Sequence, residues 1–355
     1  MKELILYPTL AGVGYTGYWV FKTRRIPAAA MLGSMLLVAA TLGLGMPWPE
    51  VPFVARQLFQ IIIGTMIGSR FSGEMLRRLK RLVAPAVLVA FWMVATGLLN
   101  GYVLARVSPL DSATALISAT PGGLAEMTIL AFSYHLDASK VAFFHSLRII
   151  LVYATVPMTM KWFQAHPAAL DRERTPDSFI QLEESAAAPL PWYSLPVLRG
   201  ILLGIVGGTL GYSLGLPAGG MLGALLLVAS LRIAGFQMPP PPSQVVTFSQ
   251  IGMGVVLGLT FNQPFMSYLE ALWLPLLVIS VMQLLSGFLL AYCIHRLFQW
   301  DFLTALCACS PAGLSQMSAI ALELDADPVK VSLMHLVRLL AIVLVIPLFL
   351  SYQFL

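Results

Sequence analysis

The sequence predicts an all-α, polytopic membrane protein. It has two inverted-topology repeats, each with about five spanning helices and one segment broken by Pro and Gly. Three observations predict this fold: an apolar composition, a gapless internal duplication, and a basic-loop bias that reverses between the copies. Hydrophobic residues make up 58% of the 355 residues, charged residues 10%, and the mean hydropathy is +0.84. A soluble domain carries about 25% charged residues, so this chain cannot cover a surface that faces water. Apolar runs of about 20 residues, the length that spans hydrocarbon, recur along it.

The duplication is read directly. Ile26–Ala40 is IPAAAMLGSMLLVAA and Leu216–Ser230 is LPAGGMLGALLLVAS, 190 residues later. The same shift maps Gln60, Gly64, Gly68 and Phe71 onto Gln250, Gly254, Gly258 and Phe261. It maps Pro121, Gly123, Leu124 and Met127 onto Pro311, Gly313, Leu314 and Met317, and His145 and Arg148 onto His335 and Arg338. Paired repeats of this kind build many secondary transporters, with the substrate site where the repeats meet. The domains expected are membrane repeat 1 over 1–163, a polar linker over 164–193, and membrane repeat 2 over 194–355.

Each repeat holds six apolar segments. In the first copy they cover 4–21, 26–43, 52–70, 82–105, 112–134 and 141–162. The first could pass for a signal peptide, but its copy at Ser194–Leu214 argues for a retained helix. Lys and Arg near helix ends prefer the cytoplasm. In repeat 1 they occupy the first loop (Lys22, Arg24, Arg25) and the third (Arg70, Arg77, Arg78, Lys80, Arg81). The matching stretches Leu214–Gly219 and Asn262–Glu270 contain none, and Arg232 and Arg296 lie in the alternate loops. The net charge of +5 therefore speaks to membrane orientation.

Opposite insertion requires an odd number of crossings, so one of the six segments must fail to cross in the ordinary way. The fifth is the candidate. Its middle is Ala119-Thr120-Pro121-Gly122-Gly123 in one copy and Cys309-Ser310-Pro311-Ala312-Gly313 in the other. Pro removes a backbone donor and Gly adds freedom, so a helix breaks there. A re-entrant hairpin with its tip near the midplane is the simplest form, and a broken helix that crosses fully is its rival. The N–H groups that open the second half-helix make a ready anion site. The bland alternative is a pair of Pro kinks that shape packing.

The sixth segments carry polar residues into the same region. His145 and Arg148, and His335 and Arg338, sit three apart and so share a helix face. An intramembrane charge costs several kcal/mol and marks a functional site by default. Each Arg could instead tie hairpin carbonyls together, and each His could be a hydrogen-bonded core residue. Glu126, whose counterpart is Gln316, could pair with an Arg, carry a coupling proton or help hold Na⁺. The substrate-binding residues expected are Thr120, Pro121, Gly122, Gly123, Ser310, Pro311, Ala312, Gly313, Arg148 and Arg338. Glu126, Gln316, His145 and His335 are the coupling candidates.

The Gly64-x-x-x-Gly68 and Gly254-x-x-x-Gly258 pairs read as close helix packing. Cys293, Cys307 and Cys309 lack metal-ligand or disulfide spacing and read as small core residues. No Walker or dinucleotide fingerprint, metal cluster or catalytic triad occurs. Neither an enzyme, nor a metal, nor a resident cofactor is expected, although H⁺ or Na⁺ coupling is open.

At Pro121-Gly122-Gly123-Leu124 and Ser310-Pro311-Ala312-Gly313-Leu314, each followed by a helix bearing Leu147-Arg148 or Val337-Arg338, the chain resembles the bacterial AbrB-duplication membrane family. The resemblance covers all but the linker; Ala312 departs from the Pro-Gly-Gly pattern. Members carry the labels of AbrB family transcriptional regulator or ammonia monooxygenase. What the resemblance implies is a twice-repeated protein of the bacterial inner membrane, related in fold to cation/proton antiporters and anion transporters. The residues fit neither label directly: no soluble stretch can fold as a DNA reader, and the five histidines are spread across different segments. The function expected is secondary transport of a small, anionic organic solute through a midplane site. A membrane-embedded sensor that affects gene expression indirectly is the alternative. The partners expected are the lipid bilayer and the solute, with a homodimer as an option and no nucleic acid.

Overall fold

The structure, a computed structural model, describes residues 2–24, 26, 28–71, 73–165, 194–261, 265–311, 317, 321 and 326–353. Among them are fourteen α-helices and no strand. From the first copy come α1 (Lys2–Thr23), α2 (Ala29–Gly43), α3 (Phe53–Gly68), α4 (Gly73–Arg81), α5 (Val83–Val107), α6 (Ser112–Ala119), α7 (Leu124–Ser133) and α8 (Ala138–Ala165). The second copy gives α9 (Leu195–Ser213), α10 (Gly219–Ile233), α11 (Ser243–Gly258), α12 (Phe265–Phe298), α13 (Phe302–Cys309) and α14 (Pro328–Gln353).

Four helices are long and apolar enough to cross a membrane among the described residues: Val83–Val107, Leu195–Ser213, Glu270–Phe298 and Pro328–Leu350. Large apolar side chains such as Val87, Phe91, Leu285 and Leu348 point outward on them, while Asn100, Gln283, His145 and Arg148 are buried. That inside-out distribution suits hydrocarbon surroundings. Helices α2, α3, α10 and α11 hold 15 or 16 residues. At 1.5 Å per residue they reach about 22–24 Å, less than the ~30 Å hydrocarbon core.

The chain divides into two compact units, and neither is a sequence repeat. One comprises Met1–Arg78, Thr128–Ala142 and Ala187–Ala271; the other comprises Leu79–Met127, Phe143–Ala186 and Leu272–Leu355. Each draws stretches from both copies, although Thr128–Ala142 of the first has its 190-residue counterpart in the second.

Small residues organise the first unit. A Cβ on Gly17 of α1 would strike the Gly33 carbonyl of α2, and α9 and α10 meet the same way at Gly207 and Gly223. Contacts between copies are reciprocal. Gly64 and Gly68 of α3 lie on the Met221 and Leu225 carbonyls of α10, while Gly254 and Gly258 of α11 lie on those of Met31 and Met35 in α2. Met31 and Met221, like Met35 and Leu225, are 190 residues apart, so each copy gives the other the contact it receives. The Gly-x-x-x-Gly pairs thus serve close packing between the copies.

In the second unit the copies differ at one junction. Leu82 (φ −115°, ψ 21°) separates the basic helix α4 from α5, whereas α12 runs unbroken from Phe265. The expected segment 82–105 is thus preceded in copy one by a separate basic helix.

Candidate functional site

Helix α6 begins at Asp111, whose carboxylate accepts the Thr114 amide at 2.9 Å, and α13 begins at Asp301 with Thr304 in the same role at 3.0 Å. Both helices end two residues before a proline, at Ala119 and Cys309. Thr120 (ψ 136°) and Ser310 (ψ 136°) are extended, the conformation that Cδ of a following proline imposes. The break expected in the fifth segment is present at 120–123, between α6 and α7.

A broken helix leaves carbonyls without their i+4 amides, and buried carbonyls must find other donors. The Ile117 carbonyl would normally take the amide of residue 121, which is proline. His145 Nε2 stands 3.1 Å from it. In the second copy Cys307 faces the same loss at Pro311, and His335 Nε2 stands 2.9 Å away. A carbonyl only accepts, so Nε2 carries the proton and each imidazole acts as a donor here. Arg148 donates from Nη1 to the Thr120 carbonyl at 3.1 Å and from Nη2 to that of Gly122 at 2.5 Å. Arg338 donates to the Ser310 carbonyl at 2.7 Å. The hydroxyls of Thr120 and Ser310 turn back to the Leu116 and Leu306 carbonyls at 2.7 and 2.6 Å. Gln283 of α12 donates its amide to the Ala119 carbonyl.

A glycine lets α12 approach the second break: a Cβ on Gly287 would lie 3.0 Å from the Cys309 carbonyl oxygen, whereas one on Gly97 of α5 would meet Pro121 Cδ at an ordinary 3.4 Å. The Glu126 carboxylate folds back over Gly123, at the start of α7, where a negative group meets the helix dipole favourably. Arg148 and Arg338 each hold a carbonyl of their own break. Arg148 is 5% exposed and Arg338 7%. Two guanidiniums and one carboxylate thus converge on the breaks among the described residues.

Of the residues expected at the site, Thr120, Pro121, Gly122, Gly123, Glu126, His145, Arg148, Ser310, Pro311, His335 and Arg338 all fall in the second unit. Ala312, Gly313 and Gln316 lie outside the described residues. Gln283 was not expected. Its signal was an amide in an apolar segment whose copy holds Met93 instead. No group of three His, Cys, Asp or Glu is placed to hold a metal among the described residues.

Comparison with known proteins follows the same duplication. The family model described as "Transition state regulatory protein AbrB" matches residues 2–164 and again 55–353. "Putative regulator AbrB" of Escherichia coli (strain K12) is 28% identical over 338 residues, covering 92% of this chain and 90% of its own. "Uncharacterized protein YhjN" of Bacillus subtilis (strain 168) is 23% identical over 354 residues, covering 94% of this chain and 90% of its own. No solved structure matches. Two matches to one family model, together covering nearly every residue, carry the conclusion that this chain belongs to the AbrB family.

Proposed function

We propose that the protein is a secondary transporter of a small, anionic organic solute in the bacterial inner membrane, with the solute bound at the two helix breaks. The observation that carries this reading is the pair of buried guanidiniums, one at each break. A neutral donor is enough to satisfy a break carbonyl, since the Gln283 amide does so in this protein. A buried full charge costs several kcal/mol more than a neutral donor. Arg148 and Arg338 bear that cost in both copies, which argues for an anionic ligand besides the carbonyls. No chemical step or resident cofactor is part of the proposal. Glu126, Gln316, His145 and His335 are the residues through which H⁺ or Na⁺ would couple.

Opposite insertion of the repeats is part of the same proposal, and the first unit supports it. Gly64 and Gly68 of α3 lie on the Met221 and Leu225 carbonyls of α10, so residue numbers rise together and these two helices run parallel. Helix α10 is the copy of α2; with α2 and α3 as consecutive crossings of opposite direction, α10 opposes its own copy. A re-entrant fifth segment gains support from α6 and α8. His145 is level with Ile117 and Arg148 with Thr120, three residues further on in both helices, so the two run parallel. Helices α6 and α8 are joined through a single helix and yet run parallel, which calls for a reversal of the chain between them.

Flux in proteoliposomes tests the function. Arg148→Gln and Arg338→Gln keep amide donors for the carbonyls but remove the charge, and each is expected to lower anion flux about a hundredfold. Unchanged flux in both would remove the anion-site reading. The regulatory names of the family and of its Escherichia coli member favour a second reading, a membrane sensor with a transporter-like pocket. Saturable solute binding by the wild type without any flux would select it.

A further inference from the structure

The amide of Gln283 is held at the first break in one orientation. Ala119's carbonyl can only accept, so Gln283 turns Nε2 toward it and Oε1 away. The residue is 5% exposed, and its Oε1 has no hydrogen-bond partner among the described residues. Arg148, whose guanidinium holds the next carbonyl along, has a buried Nε in the same condition. A buried polar atom without a partner costs as much as a lost hydrogen bond and calls for an explanation. Packing does not supply one. The copy of Gln283 is Met93, and the copy of Ala119 is Cys309, so the second break forms without a glutamine. The first break therefore presents an unmatched acceptor and an unmatched donor at adjoining carbonyls.

We infer that Gln283 sets the solute's chemical class: a small carboxylate that also carries a hydrogen-bond donor, such as a hydroxyl, next to its charged end. The carboxylate takes the Arg148 Nε–H, and the hydroxyl donates to Gln283 Oε1. This rests on the anion-binding reading above and narrows it. Arg148 and Arg338 supply charge attraction for any small carboxylate, whereas Gln283 discriminates among them. A site built to bond a hydroxyl rejects the analogue lacking it more strongly than an apolar pocket rejects an extra methylene.

The test uses the purified full-length protein and acid pairs that differ by one hydroxyl: acetate and glycolate, propionate and lactate, succinate and malate. Calorimetric titration should give the hydroxy acid of at least one pair about a tenfold lower Kd. Gln283→Met, which installs the residue found at position 93, should bring that ratio to about one. Equal affinity within every pair, or a preference that survives in Gln283→Met, overturns the inference; a water molecule on Oε1 would give the first result. Where Gln283→Met fails to fold, the wild-type ratios decide alone. Failure of every acid to bind would instead remove the anion-site reading beneath it.

Discussion

Removing the imidazole of His145 tests whether it replaces the amide proton that Pro121 lacks. His145→Leu keeps an apolar side chain of similar volume but leaves the buried Ile117 carbonyl without a donor. A buried acceptor stranded in this way costs about 1–3 kcal/mol. Pro121→Ala restores an amide four residues after Ile117, where the α-helical bond belongs. In that background the carbonyl has a donor of its own, and His145→Leu should cost under about 1 kcal/mol, mostly for repacking. The coupling energy of the cycle is therefore expected at about 1–2 kcal/mol, well above the ~0.5 kcal/mol within which independent sites add. Reversible unfolding of the four proteins in mixed micelles measures it. The equivalent cycle on Pro311 and His335 should give a similar value, because His335 lies 2.9 Å from the Cys307 carbonyl. Equal costs of His145→Leu in the two backgrounds would refute the reasoning and return the imidazole to other work, such as carrying a coupling proton.

Two further outcomes are expected. Asp137 caps α8, accepting from the Lys140 amide at 3.1 Å and the Ser139 hydroxyl at 2.5 Å and pairing with Lys140 Nζ at 2.8 Å. Burial pushes its carboxyl upward, but hydrogen bonds from Lys140 and Ser139 with the Lys140 charge outweigh that and hold it below the ordinary 3.8. Its contribution is then full above that value and fades as pH falls through the lowered one. Asp137→Ala should cost about 1 kcal/mol at neutral pH, and the gap from wild type should close under acid; a gap that stays constant under acid would show that the charge plays no part. The second outcome concerns topology. Single cysteines placed after residues 70 and 260 should label from opposite sides of the membrane, and labelling from one side would exclude opposite insertion.

How much of this was legible in the sequence depends on which features occur twice. The 190-residue shift located the break, the His-x-x-Arg faces and the small-residue pairs, since each leaves the same mark in both copies. It was silent on which atoms meet. Nothing in the spacing of Ile117, Pro121 and His145 says that an imidazole 28 residues away will fill the bond that a proline removes. The separate helix α4 was equally hidden, because the junction at Leu82 depends on local backbone angles and its counterpart in α12 is continuous. Gln283 is hidden for the opposite reason: it stands in one copy alone, so the duplication leaves no mark of it.

That contrast separates scaffold from selectivity. Residues present in both copies at the breaks satisfy needs that both breaks create, as His145 and His335 do for two carbonyls facing prolines. Such residues would persist in a protein that only had to fold. The asymmetric ones, Gln283 against Met93 and Glu126 against Gln316, answer to no shared structural demand. Arg148 and Arg338 stand between these groups: they are duplicated, and they spend a charge on carbonyls of the kind that the neutral Gln283 amide satisfies at the first break. A ligand with a negative end accounts for the excess charge, and a ligand with two unlike ends accounts for the asymmetry.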